Sequence, residues 1–354
     1  MHIVNAQVPY AERCIFIEGG TAVILPFLNV AKGTDKNTSC YELFLDTNAL
    51  TNVQWFAQLP EYIRTRSVIN PWFALQEQWL SNPEFRASPT NRIEAMIQKL
   101  AKLGMRFREQ YAQQQVRLLR NNDAVLRRHC SIVVCYVVIM KSLLTQQLPA
   151  EQLLQHLEHI VQQDIPRSPA LITLTALGTL LKGHQSLKFT DDPKPAFSYL
   201  ESFLAFQPGR KDETDHMNVP YLRNRAFDLN LWLTLPVLRQ HGYRFEGVPA
   251  IVTGDRVLHR LILRVIPPFG HKKPIMAFGL LEEGLPRCLW ERVRAISGSV
   301  QVRGEPTHKE HLARMSTLFD LAKACCADER ERDALDEMFS QWWRPGFDKQ
   351  INFS

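Results

Sequence analysis

The stretch that decides the fold runs from residue 42 to residue 50 and reads ELFLDTNAL. Its short apolar run is typical of a buried strand, which delivers the carboxylate of Asp46 to its carboxyl end. Two later stretches, NRAFD (224–228) and IVTGD (251–255), supply further acids. In an open parallel α/β sheet, the carboxyl ends of the strands form the crevice where ligands bind. Acids gathered there from distant points of a sequence usually hold a divalent cation or act as acids and bases.

Strand and helix patterns alternate around this stretch. A helical pattern follows it as far as Pro60, and a strand at 68–70 then leads into a helix at 72–80. This succession predicts an α/β fold with a parallel sheet flanked by helices. Ahead of it, two apolar runs at 14–17 and 21–25 predict a small β-hairpin.

The rest of the chain is mostly helical in its periodicity. Between about residues 92 and 206 apolar residues recur at helix spacing, and strand-like runs return at 250–253 and 275–278. Helices are expected again near the end of the chain. We therefore predict four segments: 1–85, the hairpin and the first half of the α/β domain; 86–207, a large all-helical insertion; 208–264, the second half; and 265–354, a C-terminal helical extension.

Composition indicates an ordinary soluble globular protein. The chain has 354 residues, 45% of them hydrophobic and 22% charged, and its net charge of +6 is compatible with a polyanionic partner. Its seven cysteines include no CxxC pair, so we expect reduced thiols in a cytoplasmic protein. The longest apolar run, at 131–140, is shorter than the ~20 residues that span a bilayer, which predicts a buried helix or strand and no membrane role.

Two short motifs carry a resemblance to a known family. The sequences DTN at 46–48 and TGD at 253–255 resemble the end motifs of the PIN domain family of metal-dependent nucleases, in which Asp-x-Asn closes the first strand and Thr-x-Asp closes a late strand. The order and spacing of Asp228 and Asp255 are similar to those of the family's third and fourth acids. The resemblance covers roughly residues 40–85 and 208–264. Compact family members lack so large an insertion, and the sequence FALQE that ends at Glu77 fits the second-acid pattern only loosely.

The resemblance implies metal-dependent hydrolysis of phosphodiester bonds, with RNA a better candidate than single-stranded DNA. Magnesium or manganese ions would supply the activated water and stabilise the leaving oxygen, and such hard cations take oxygen ligands. The implied catalytic acids are Asp46, Glu77, Asp228 and Asp255. Of these, Asp46 and Asp255 would bind the metal directly, Asp228 would complete its shell, and Glu77 would hold a water or a second ion. Asp212 and Asp215 are alternatives for completing the acidic site.

Other residues are expected to contact the substrate. Asn48 and Thr253 would orient the acids or a phosphate, as the resemblance implies. Arg223 and Arg225 lie close in sequence to Asp228, which makes them candidates for phosphate contacts. Similarity to the family also suggests a prokaryotic toxin or defence effector controlled by an inhibitory or activating protein partner. The sequence leaves the oligomeric state open.

Three other interpretations stay open. A single Asp after a strand is more often a turn or helix N-cap, and Asp46 could cap the helix around residue 50. The domain could be a catalytically idle PIN-like scaffold that binds RNA or a protein. A phosphatase of the haloacid-dehalogenase type also begins with an Asp after its first strand, although it requires a second Asp where this chain has Asn48.

Overall fold

The computed structural model divides into two compact units. The sheet unit comprises residues 8–126 and 234–266, and the helical unit comprises residues 1–7, 127–233 and 267–354. The structure describes residues 2–5, 14–17, 19–24, 40–190, 192–209, 212–240, 242–258, 260, 265–269, 275–280, 284–300 and 307–342.

The elements are numbered in chain order. The strands are β1 (His2–Asn5), β2 (Cys14–Phe16), β3 (Ala22–Ile24), β4 (Tyr41–Leu45), β5 (Ser67–Asn70), β6 (Val248–Thr253), β7 (Val265–Phe269) and β8 (Ile275–Phe278). The α-helices are α1 (Thr47–Thr51), α2 (Glu61–Arg64), α3 (Trp72–Ser81), α4 (Pro83–Ala87), α5 (Pro89–Ala101), α6 (Tyr111–Asn121), α7 (Asp123–Thr145), α8 (Ala150–Gln162), α9 (Pro169–Gly183), α10 (Phe197–Leu204), α11 (Val219–Gln240), α12 (Arg287–Ser299), α13 (His308–Ala324) and α14 (Glu329–Trp342).

The sheet unit is built on a five-stranded sheet with the order β2-β3-β6-β4-β5. Strands β5, β4 and β6 run parallel, whereas β3 is antiparallel to both β2 and β6. The predicted α/β class is confirmed at this level, and so are the hairpin and the strands at 68–70 and 250–253. The expectation of a parallel sheet needs correction. The sheet is mixed, because strand β3 of the hairpin pairs antiparallel with β6.

The central strand β4 separates two chemically different faces of the sheet. Leu43 and Leu45 are fully buried on one face, where they join a large apolar core. Because side chains alternate along a strand, Glu42, Phe44 and Asp46 share the opposite face. The apolar core draws on β5, β6 and the helices before α3, and its largest members are Trp55, Phe56, Tyr41 and Met105.

A buried carboxylate organises the second face. Glu42 has no solvent exposure, and its Oε1 accepts hydrogen bonds from the Asn70 amide and the Tyr243 hydroxyl, both at 2.7 Å. Its Oε2 accepts from the Arg108 guanidinium at 2.8 Å and from the backbone N–H of Glu246 at 2.9 Å. Burial, followed by the charge of Glu42, raises the pKa of the Tyr243 hydroxyl, so this group remains a donor. Four donors satisfy one desolvated charge.

A glycine lets the chain enter β6 beside β4. Gly247 has φ +95°, and a Cβ added there would lie 2.2 Å from the carbonyl oxygen of Cys40. The next residue, Val248, donates its N–H to that same carbonyl at 2.8 Å. The left-handed conformation and the close approach both require glycine.

A second, three-stranded sheet has the order β1-β8-β7, in which β1 and β8 are parallel; all of it except the first two residues of β7 belongs to the helical unit. The predicted strand at 275–278 and the helices near the end of the chain are confirmed. Helix α9 is almost wholly buried, and Thr173 on it donates a hydrogen bond to Ser297 of α12 at 3.0 Å.

The division into units differs from the four predicted segments. Helices α4, α5 and α6 lie within the predicted insertion but group with the sheet unit, and the unit boundaries fall inside α7 and α11. The apolar run 131–140 is part of α7 and mostly buried, as expected. By length and composition α7 is the one helix among the described residues that could cross a membrane. Of its most apolar stretch of 18 residues, 67% is buried within the protein.

Substitution Glu42→Gln is expected to lower the free energy of unfolding by ~3 kcal/mol, because it leaves Arg108 without its buried partner charge. The control is Glu84→Gln, which removes an exposed charge paired with Arg92 and should cost less than ~1 kcal/mol. Urea denaturation followed by tryptophan fluorescence measures both. Equal denaturation midpoints for the two variants would contradict the role given to Glu42.

Substitution Gly247→Ala is expected to destabilise the protein by at least ~2 kcal/mol, since it adds a steric clash to the cost of a left-handed conformation. Gly242→Ala is the matched control: its φ is +80°, and nothing lies within 4 Å of the added Cβ. Thermal unfolding of the two variants separates the clash from the strain. A Gly242→Ala variant as unstable as Gly247→Ala would show that the Cys40 contact is unimportant.

Candidate functional site

The site lies where β4 and β6 end side by side. Leu45 pairs with Val252 in parallel register, and the N–H of Asp46 donates to the Val252 carbonyl at 3.2 Å. The chain positions that follow the two strands, 46 and 253–255, therefore meet at one edge. This is the arrangement expected at the carboxyl ends of neighbouring parallel strands.

The carboxylate of Asp46 is held by a hydrogen bond to each oxygen. Oδ1 accepts from the backbone N–H of Ala49 at 2.5 Å and caps α1, while Oδ2 accepts from the Thr253 hydroxyl at 2.5 Å. Asp46 is thus a helix N-cap, as the simpler interpretation predicts. It also lies at the edge where positions 46 and 253–255 meet, which we call the acidic edge. The two bonds fix the orientation of the carboxylate.

Thr253 connects Asp46 to Asp255. Its hydroxyl oxygen accepts from the backbone N–H of Asp255 at 3.0 Å while it donates to Asp46. Asp255 Oδ1 in turn accepts from the N–H groups of Val257 and Leu258, both at 2.9 Å. Asp255 is half-buried, and its other carboxylate oxygen accepts no hydrogen bond from any residue that the structure describes. This oxygen is therefore available to a ligand.

Glu77 joins the same edge from α3. Its Oε2 accepts from the Thr47 hydroxyl at 2.5 Å, and Thr47 directly follows Asp46. Glu77 is half-buried. Asn48 lies beside Gly254, because a Cβ added at Gly254 would be 3.5 Å from the Cβ of Asn48. The sequence did not single out Thr47, although its place between Asp46 and Asn48 was the available signal.

The remaining predicted residues belong to the helical unit. These are Asp212, Asp215, Arg223, Arg225 and Asp228. Asp228 and Arg223 are half-buried on α11, and Asp215 is exposed. Within the sheet unit, Asp46 is linked to Asp255 through the Thr253 hydroxyl, and Glu77 accepts a hydrogen bond from Thr47, the residue after Asp46.

Arg225 corrects a prediction, because it is a structural residue. It is 4% exposed, and its guanidinium donates to both carboxylate oxygens of Glu213 at 3.2 Å and to the carbonyl of Ala205 at 3.0 Å. The guanidinium also lies 4.8 Å from the centre of the Tyr221 ring. A guanidinium this buried, with both Nη atoms already donating to Glu213 or Ala205, cannot contact a phosphate in this conformation.

The donor set of the acidic edge suits a hard cation. All its side-chain donors are oxygens, and magnesium is usually bound by one or two carboxylates while it keeps several waters. Within the described part of the chain, no three histidine, cysteine or acidic side chains lie close enough to hold a metal together. Asp46 and Asp255 are the residues of this edge that could hold such a cation.

Comparison with known proteins does not place the chain in a family. No protein-family model matches it, and searches of curated proteins and of solved structures found no significant match.

Substitution Thr253→Val is expected to lower the free energy of unfolding by ~1–3 kcal/mol, because the Asp46 carboxylate and the Asp255 amide both lose a buried partner. Thr51→Val is the control, since its exposed hydroxyl donates only to the Thr47 carbonyl at 2.8 Å, and it should change stability by less than ~0.5 kcal/mol. Urea denaturation compares the two. If both variants matched the wild type, the Thr253 bridge would not hold the edge together.

Proposed function

We propose that the sheet unit is a PIN-like, metal-dependent endoribonuclease that hydrolyses phosphodiester bonds. The observation that carries the proposal is the bridge at the acidic edge, where the Thr253 hydroxyl bonds the Asp46 carboxylate and the Asp255 backbone together. These three residues are the ones that the two family-like motifs contribute. Asp46 and Asp255 come from points more than two hundred residues apart in sequence, and a structural N-cap alone does not require their meeting.

Asp46 and Asp255 would hold Mg²⁺ or Mn²⁺, which when bound supplies an activated water and stabilises a leaving oxyanion. The protein's own part is to fix these acids before the substrate arrives. Both oxygens of Asp46 and one oxygen of Asp255 are tied to the backbone or to Thr253, so little reorientation accompanies binding. The hydroxyl of Thr47 similarly orients Glu77, whose other oxygen can accept a hydrogen bond or a proton from water.

RNA is the preferred substrate in this proposal, and Asn48, beside Gly254, would donate its amide to a phosphate or sugar oxygen. The mild positive charge of the chain agrees with a polyanionic substrate. By analogy with the family, we propose a cytoplasmic toxin or defence effector that a protein partner restrains or activates. This step depends on the analogy alone, because a fold does not fix a function.

A second candidate is a catalytically idle scaffold of the same type that binds RNA or a protein. One observation favours it: both oxygens of Asp46 already have structural partners, the Ala49 N–H at the start of α1 and the Thr253 hydroxyl. The two candidates differ in one property, because only the nuclease requires the negative charge of Asp46.

Asp46→Asn is expected to reduce Mn²⁺-dependent cleavage of labelled single-stranded RNA by at least ~100-fold. Asparagine caps a helix as well as aspartate does, so the variant should fold, which circular dichroism verifies. Asp255→Asn should lose activity similarly, whereas Glu84→Gln, which changes an exposed acid paired with Arg92, should retain it. Single-stranded DNA and EDTA controls define the substrate and the metal requirement.

The outcomes separate the candidates. Metal-dependent cleavage that survives in Asp46→Asn would contradict the proposed site. RNA binding without cleavage in the wild type, unaltered by Asp46→Asn, would favour the scaffold. Asp228→Asn adds a further distinction, because its loss of cleavage would bring the third acid of the family pattern into the reaction.

A further inference from the structure

The turn of the β2–β3 hairpin lies at the acidic edge of the sheet. Strand β3 runs antiparallel to β6, and Ala22 pairs with Thr253. The residues just before Ala22 therefore lie at the end of β6 where Asp255 follows. Gly19 and Gly20 form this turn, with φ angles of +90° and +93°, and the Gly20 N–H donates to the Ile17 carbonyl at 3.2 Å.

An exposed arginine lies against this turn. Arg256 directly follows Asp255, and a Cβ added at Gly20 would be 2.9 Å from its Nε and 3.0 Å from its Nη2. The guanidinium thus occupies the space that a side chain at position 20 would fill. Arg256 forms no ion pair or hydrogen bond with any residue in the described parts of the chain. Its donors face no competing acceptor there, unlike those of Arg108 and Arg225.

We propose that Arg256 binds a phosphate of the RNA substrate and that Gly20 gives its guanidinium the room to do so. This inference rests on the proposed nuclease function and adds a substrate-binding residue to it. With a divalent cation on Asp46 and Asp255 their charges are offset, and the positive charge of Arg256 beside them adds attraction for a phosphodiester. Arginine suits this task because its planar fork of N–H donors matches two phosphate oxygens at once.

The two glycines of the turn provide a matched pair of variants. Ala at either position meets the same left-handed backbone conformation, so Gly19→Ala and Gly20→Ala carry similar strain. Only the Gly20 variant meets the Arg256 guanidinium, because nothing lies within 4 Å of a Cβ at Gly19. A difference between the variants therefore reports on the position of Arg256 rather than on the stability of the hairpin.

The test measures cleavage and binding of single-stranded RNA by the full chain with Mn²⁺. Arg256→Ala is expected to raise KM about tenfold, as loss of a charge-assisted contact should, with kcat changed less than about threefold. The slope of log affinity against log salt should fall by roughly 0.7, the value for one phosphate contact on a single strand. Arg256→Lys should recover part of the loss. Gly20→Ala should raise KM more than Gly19→Ala.

The control for general loss of positive charge is Arg92→Ala, which removes an exposed arginine of α5 that pairs with Glu84 and should keep the wild-type KM and salt slope. An Arg256→Ala variant that matches Arg92→Ala while cleavage persists would overturn the inference and leave the nuclease proposal standing. Equal effects of the two glycine variants would overturn the role of Gly20. Binding measured in the Asp46→Asn background separates the proposals further: RNA affinity that falls with Arg256→Ala, in a protein whose wild type does not cleave, would overturn the nuclease and retain the phosphate contact.

Discussion

A single buried charge determines how the sheet unit is assembled. Glu42 lies in the middle of the central strand with no access to solvent, and a carboxylate in that position is tolerated only if donors replace its water. The donors come from β5, from the segment before α6 and from the segment before β6. One side chain therefore holds three distant parts of the chain against β4.

Strand β4 connects the buried carboxylate of Glu42 to the candidate site. Glu42 and Asp46 are four residues apart on one strand and share a face, roughly 13 Å from one another at the usual rise per residue. Phe44 lies between them and packs against Phe73 and Tyr243, with ring centres 5.8 and 6.3 Å away. The apolar and polar contacts of this face fix β4 in place. Asp46, which follows the carboxyl end of β4, is therefore rigidly positioned.

Patterns local in sequence predicted much of this structure, and contacts distant in sequence account for what was missed. The strands around Asp46 and Thr253 could be read from short apolar runs, and their meeting follows from the geometry of parallel sheets. Arg225 resembled a phosphate ligand because its partner Glu213 is recognisable only once the chain has folded. The unit boundary inside α11 could not be predicted from the sequence either, since the helical periodicity continues across it. Asp46 was ambiguous for another reason, because one carboxylate can cap a helix and still face a ligand.

The position of β6 between β3 and β4 has a consequence for the order in which the protein is made. Both neighbours of β6 are complete by residue 45, yet β6 itself begins at Val248. During synthesis, the ribosome must therefore produce the whole stretch from 127 to 233, which belongs to the other unit, before the gap in the sheet can close. Until then β4 exposes an unpaired edge, and Glu42 lacks the partners that Tyr243 and Glu246 supply. Pairing across so long a separation is slow, and open strand edges are prone to aggregate, so the nascent chain is exposed to aggregation until β6 has been made.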